Sequence, residues 1–102
     1  MITITDSTWK DYKNTKGLLI LDFWANWCNP CKAFKPILEK ISEENKDIKI
    51  ATIETDDNND IVTEFQIRSL PTIIYMKDGK EIFRASGVQS KQEVEDKIKE
   101  LK

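Results

Sequence analysis

Apolar positions along this chain change their period several times, and each change marks an element. Leu18 to Ala25 is apolar at both parities except at Asp22, the pattern of a strand covered on both faces. Phe34, Ile37, Leu38 and Ile41 then recur at three and four residues as one stripe, while Lys32, Lys35, Lys40, Glu43 and Glu44 take the other faces. This spacing predicts a helix over about Pro30–Asn45, kinked rather than broken by Pro36. Lys49–Glu54, with Ile48, Ile50 and Ile53, reads as a buried strand, and Asp57–Phe65 as a short helix of weak propensity. Thr72–Met76 and Glu81–Ala85 flank an Asp78-Gly79 pair, the residues a type I′ hairpin turn favours, so these strands are expected to be antiparallel neighbours. Ser90 with Glu93 makes a capping box, after which Val94, Ile98 and Leu101 set the buried face of a last helix. At the front, Ile2–Ile4 reads as a short strand and Ser7–Lys16 as an amphipathic segment whose Trp9 and Tyr12 are expected to pack.

The order is therefore β-α-β-α-β-α-β-β-α. Helix crossovers among the first three strands require parallel pairing wherever those strands are neighbours, and the hairpin adds an antiparallel part. The expectation is an α/β fold with a central mixed β-sheet flanked by helices on both faces. At 102 residues, with no repeat and with Gly and Pro numbering only three each, the chain reads as one domain over 1–102.

Charge and composition remove whole classes of function. Sixteen basic against eighteen acidic residues, a net charge of -2, provide no basic face for a phosphate backbone, so nucleic acid is not an expected partner. The absence of histidine excludes Ser-His and Cys-His nucleophiles, imidazole acid-base catalysis and His-ligated metals. The N-terminus lacks a basic cluster followed by an apolar stretch, and no run approaches the roughly 20 apolar residues that span a bilayer. A cytoplasmic protein without membrane contact is expected, and no feature signals oligomerisation, so a monomer is expected too.

What remains for covalent chemistry is Cys28 and Cys31, in Trp27-Cys28-Asn29-Pro30-Cys31-Lys32, where the second strand hands over to a helix. Free N–H groups and the positive end of the helix dipole there favour a thiolate at Cys28, the species disulfide exchange needs. Two intervening residues put both sulfurs on the first turn, close enough to close a small ring, and Pro30 is tolerated there because its missing donor would be unpaired anyway. Cys28 is expected to be exposed and Cys31 to face inward. The plainer alternatives are half a zinc site, which lacks two further Cys or His ligands, and a structural disulfide, which would constrain the unfolded chain little across so short a loop. Asp22 is a lone carboxylate in an apolar strand, so its pKa should be raised unless it turns outward at a sheet edge.

Leu21 to Lys32 with its Cys28-Asn29-Pro30-Cys31, Arg68-Ser69-Leu70-Pro71-Thr72, and the later Asp78-Gly79 and Gly87 together resemble the thioredoxin family over nearly the whole chain. The resemblance implies the thioredoxin fold and a protein-disulfide reductase: Cys28 attacks a client disulfide, Cys31 resolves the mixed disulfide, and an oxidised Cys28–Cys31 pair results. It implies that Asp22 is a buried acid helping to deprotonate Cys31, a task suited to a raised pKa. It further implies a cis bond before Pro71 and a client surface made from Trp27, Leu70, Pro71, Gly87 and Val88, with the Leu70 backbone pairing an extended client segment. Asn29, Pro30 and Lys32 would tune the pair. No metal or bound cofactor is implied. Electrons would come from NADPH through a flavoprotein thioredoxin reductase, and family clients include ribonucleotide reductase, peroxiredoxins and methionine sulfoxide reductases.

Two residues depart from the family pattern. Asn29 stands where glycine is usual, and its amide could donate to a sulfur and make the pair more oxidising. Thr52 stands where a lysine near the buried acid is common, and losing that cation should raise the Asp22 pKa further. A glutathione-linked or net-oxidising enzyme of the same fold is the nearest rival reading, and a binding module with incidental thiols is the rival of another class. For Trp24 the expected role is core packing, and for Lys35 either positive potential near the thiolate or a solvated helix face.

Overall fold

The computed structural model describes residues 1–102. Its strands are β1 (Ile2–Thr3), β2 (Leu18–Trp24), β3 (Lys49–Glu54), β4 (Thr72–Lys77) and β5 (Lys80–Ser86), and its helices are α1 (Trp9–Tyr12), α2 (Asn29–Glu44), α3 (Asn59–Phe65) and α4 (Lys91–Leu101). The sheet order is β1-β3-β2-β4-β5. Strand β3 runs parallel to both β1 and β2, whereas β4 is antiparallel to β2 and to β5. The mixed sheet and the predicted order are thus both present.

Strand parity divides the core in two. Leu19, Leu21 and Phe23 of β2 point to one face, where Trp9 of α1 and Ile61 and Phe65 of α3 cover them. Leu18 and Ile20 point to the other, against Phe34, Leu38 and Ile41 of α2 and Val94 and Ile98 of α4. The helical stripe read from the sequence is therefore the contact face of α2, and Pro36 lies within the continuous helix. Asp22 has the parity of Leu18 and Ile20, so β2 delivers its carboxyl beneath α2.

The hairpin turn has Asp78 at φ 52° and Gly79 at φ 85°, the left-handed pair that a type I′ turn requires. Asp78 also reaches back to the start of β2, its Oδ1 accepting the Gly17 N–H at 2.8 Å and its own N–H donating to the Gly17 carbonyl at 3.2 Å. The capping box of α4 is formed, with Ser90 Oγ and Glu93 Oε1 each accepting the other's backbone N–H at 3.0 Å.

Two segments differ from the sequence expectation. Only Trp9–Tyr12 of Ser7–Lys16 is helical, because Thr5 and Thr8 close the preceding turn through the Thr5 N–H and Thr8 Oγ1 at 2.9 Å. The region from Asp57 begins as a 3₁₀ turn at Thr55–Asp57, and α3 proper starts at Asn59. Its N-terminus is capped from far away: Asp6 accepts the N–H groups of Asp60 at 3.2 Å and Ile61 at 3.0 Å. No local sequence pattern announces a cap lying more than fifty residues upstream.

Candidate active site

The turn after β2 carries the two cysteines into the start of α2. Cys28 is the N-cap of that helix, in an extended conformation, and its Sγ accepts the Cys31 N–H at 3.2 Å. Pro30 lies in the first turn. The sulfurs are joined as a disulfide with Cα atoms 5.3 Å apart. The donor reaching Cys28 Sγ is thus a backbone amide of the helix terminus rather than the Asn29 side chain, which stands exposed at the first helical position.

Cys28 is 5 % exposed and Cys31 2 %, so the expectation of an open first cysteine is corrected. Both sulfurs pack with Ala25 under the half-buried Trp24 and Leu70. Trp27, next to Cys28 in the chain, is by contrast 68 % exposed, and Val88, after β5, is 46 % exposed. The Trp27 indole N–H donates to Asp56 Oδ2 at 3.0 Å, an anchor that sequence reasoning missed because nothing in the Asp56-Asp57 run distinguishes it from a solvated turn.

Opposite the cysteines, the Leu70–Pro71 peptide is cis. Its loop is tied down at both ends: Gly87 N–H donates to the Pro71 carbonyl at 2.8 Å, and Thr72 Oγ1 donates to the Ser69 carbonyl at 2.6 Å. Gly87 sits at φ +86°, backbone that a side chain would strain, and Pro71 is buried. The structure therefore brings Trp27, Leu70, Pro71, Gly87 and Val88 to the same end of the sheet as the disulfide.

Beneath α2, Asp22 is paired in register with Thr52 on β3 and Ile73 on β4, at the centre of the sheet and 2 % exposed. The edge-strand alternative is excluded by this position. Asp22 Oδ1 has no hydrogen-bond partner, and the carboxyl borders a cavity of about 250 Å³ shared with Trp24, Asn26, Cys31, Lys32, Lys35 and Thr52. Burial pushes the Asp22 pKa up from 3.8 to about 7, and Lys35 opposes that rise. Cys31 and a carboxyl that changes charge near neutrality thus face one polar chamber. The Trp24 ring, expected in the core, instead lines this chamber, with Lys35 Nζ 5.4 Å from its centroid. No group of three or more His, Cys, Asp or Glu side chains is arranged to hold a metal ion, and no helix is long and apolar enough to cross a membrane.

Comparison with known proteins agrees with this geometry. A family model described as Thioredoxin matches residues 1–100. A thioredoxin of Rickettsia felis is 40% identical over 97 residues, 93% of this chain and 92% of the relative. One of Mycoplasmoides gallisepticum is 37% identical over 86 residues, 84% of this chain and 86% of its own length, and one of Listeria monocytogenes is 36% identical over 96 residues, 93% and 92%.

Proposed function

The chain belongs to the thioredoxin family and is a thiol-disulfide oxidoreductase that reduces protein disulfides, and on that premise we propose how its residues divide the reaction. Cys28 is the nucleophile. Its thiolate attacks one sulfur of a client disulfide, the client S–S bond breaks, a Cys28–client disulfide forms, and the departing client thiolate takes a proton from water. Asp22 then accepts the Cys31 proton, and Cys31 attacks Cys28 Sγ. The second client sulfur leaves as thiolate and is protonated, and two electrons have passed from the dithiol to the client.

The observation that carries this division is the placement of the two sulfurs. Cys28 Sγ accepts the Cys31 N–H at the N-terminus of α2, next to the exposed Trp27, whereas Cys31 borders the chamber of Asp22. The backbone amide donor favours negative charge on Cys28, and the buried carboxyl offers Cys31 a base whose pKa of about 7 suits proton transfer near neutrality. Trp27, Leu70, Pro71, Gly87 and Val88 form the client surface, with the Leu70 backbone pairing an extended segment. Asn29, Pro30 and Lys32 tune the pair. Residues 1–102 act as one thioredoxin domain, a monomer of the cytoplasm, recharged from NADPH by a flavoprotein thioredoxin reductase.

Mixing a disulfide-containing test protein with Cys31→Ser tests the division by non-reducing mass spectrometry. A stable adduct on Cys28 is the expected result. No adduct with Cys31→Ser, together with an adduct on Cys31 in Cys28→Ser, overturns it.

A further inference from the structure

The Asp22 chamber has a second neighbour. An outer polar cavity of about 550 Å³, bordered among others by Asp6, Glu54, Asp57 and Asn58, shares Trp24, Lys35 and Thr52 with the inner one. Lys35 is the one cation common to both. Its ammonium stands over the Trp24 ring, Nζ 5.4 Å from the centroid, and both side chains border the two cavities.

The groups facing Asp22 can be enumerated element by element. Strand β4 presents Ile73, which carries no charge. Strand β3 presents the neutral Thr52 in register and, beside Trp24, Glu54, whose Oε2 accepts the Asp57 N–H while Oε1 is buried without a partner. The loop before the cysteines presents Asn26, and α2 presents Cys31, Lys32 and Lys35. The sheet thus offers Asp22 no positive charge, and Glu54, Asp57 and Asp6 place only acids on the far side of the junction. Lys32 borders the inner cavity alone and sits beside the cysteines in the first turn, whereas Lys35 is one helical turn further along, between the two sets of carboxylates.

We propose that Lys35 is a positioning residue for the reaction, the helix-borne counter-charge that holds Asp22 able to ionise and accept the Cys31 proton in the absence of a cation on β3. Trp24 fixes where that charge stands by stacking beneath it. The direction in which Lys35 moves the Asp22 pKa, downward against burial, agrees with the geometry. Thr52 gives Asp22 no charge on β3, and the charge that opposes burial comes from the helix side.

The inference rests on the reading of Asp22 as proton acceptor, and two measurements keep them apart. The first is the Asp22 carboxyl titration, followed by carbon NMR on the oxidised protein, where neither thiol titrates. Lys35→Met and Lys35→Gln should each raise the midpoint by about half a pH unit, modest for an opposite charge because the ammonium is partly in water. Lys35→Arg should restore it, and Lys40→Met, which removes an exposed charge from the same helix, should leave it unmoved. Unchanged midpoints in both Lys35 variants, or an equal change in Lys40→Met, overturn the proposal. The second measurement is the pH profile of mixed-disulfide resolution in a single turnover, expected to move upward with the Asp22 midpoint. If the midpoint moves and the profile does not, Lys35 is the counter-charge of Asp22, but Asp22 loses the proton-acceptor assignment and the role of Lys35 in the reaction falls with it. If the profile moves without the midpoint, Lys35 acts elsewhere and the proposal falls.

Discussion

Replacing Asp22 by asparagine should change the pH dependence of stability more than stability itself. An acid whose pKa is raised by folding holds its proton more tightly in the folded state, so it opposes folding at every pH at which the unfolded chain has ionised. Below 3.8 both forms are protonated and the residue costs nothing. Between 3.8 and about 7 the penalty grows by about 1.4 kcal/mol per pH unit, and above 7 it stays constant at roughly 4 kcal/mol. Asparagine has nearly the same shape and no charge, so its own packing cost is the same at every pH. The assay is guanidinium unfolding of the oxidised protein and of oxidised Asp22→Asn from pH 4 to pH 8.5, keeping the Cys28–Cys31 disulfide intact in both. The stability difference between the proteins should swing by about 4 kcal/mol in favour of the variant as pH rises, with the change confined to pH 4–7. Subtraction cancels every other titrating group. Two parallel curves would refute the reasoning, since a carboxyl whose burial were relieved by solvent or by a hydrogen bond would show no swing.

Two further predictions follow from other parts of the fold. In the disulfide the Asn29 amide makes no bond to Cys28 Sγ, so its part in tuning is confined to the reduced thiolate; Asn29→Gly should then make the pair more reducing, measured by equilibration against glutathione buffers, and an unchanged potential assigns all donation to the backbone N–H of Cys31. Ser90→Ala should cost about 1 kcal/mol in denaturant unfolding, because Ser90 Oγ accepts the Glu93 N–H at the start of α4, and no loss would mean that this cap contributes nothing beyond water.

The parts of this protein readable in the sequence are those set by period and by local turn chemistry. The stripe of Phe34, Leu38 and Ile41, the Asp78-Gly79 hairpin and the Ser90 cap all involve residues within a few positions of each other, so their physics is contained in short segments. Asp22 was legible for a different reason: a lone carboxyl in an apolar strand has few places to go, and strand parity sends it under α2. What could not be read are the contacts made across the chain. Asp6 caps α3, Asp56 anchors Trp27, and Gln66 ends α3 at φ 52° although it is not glycine. The burial of Cys28 escaped for the same reason, because Leu70, which helps cover it, arrives on a loop from the other side of the sheet. The charge relation of Lys35 to Asp22 depends on how far a flexible side chain travels across Trp24, which no spacing rule contains.

Strand order has a consequence for how the protein is made. Strand β2 occupies the middle of the sheet, yet both of its partners, β3 and β4, come later in the chain. A ribosome adding about 5–20 residues per second therefore releases both thiols a few seconds before Lys77 completes the strands that bury β2. During that interval the reactive turn hangs on an unpaired strand, with neither the helix terminus nor the Asp22 chamber yet assembled to control it. With Cys28 and Cys31 the only cysteines in the sequence, no wrong intramolecular bridge can form, so the nascent chain can mispair only with another molecule.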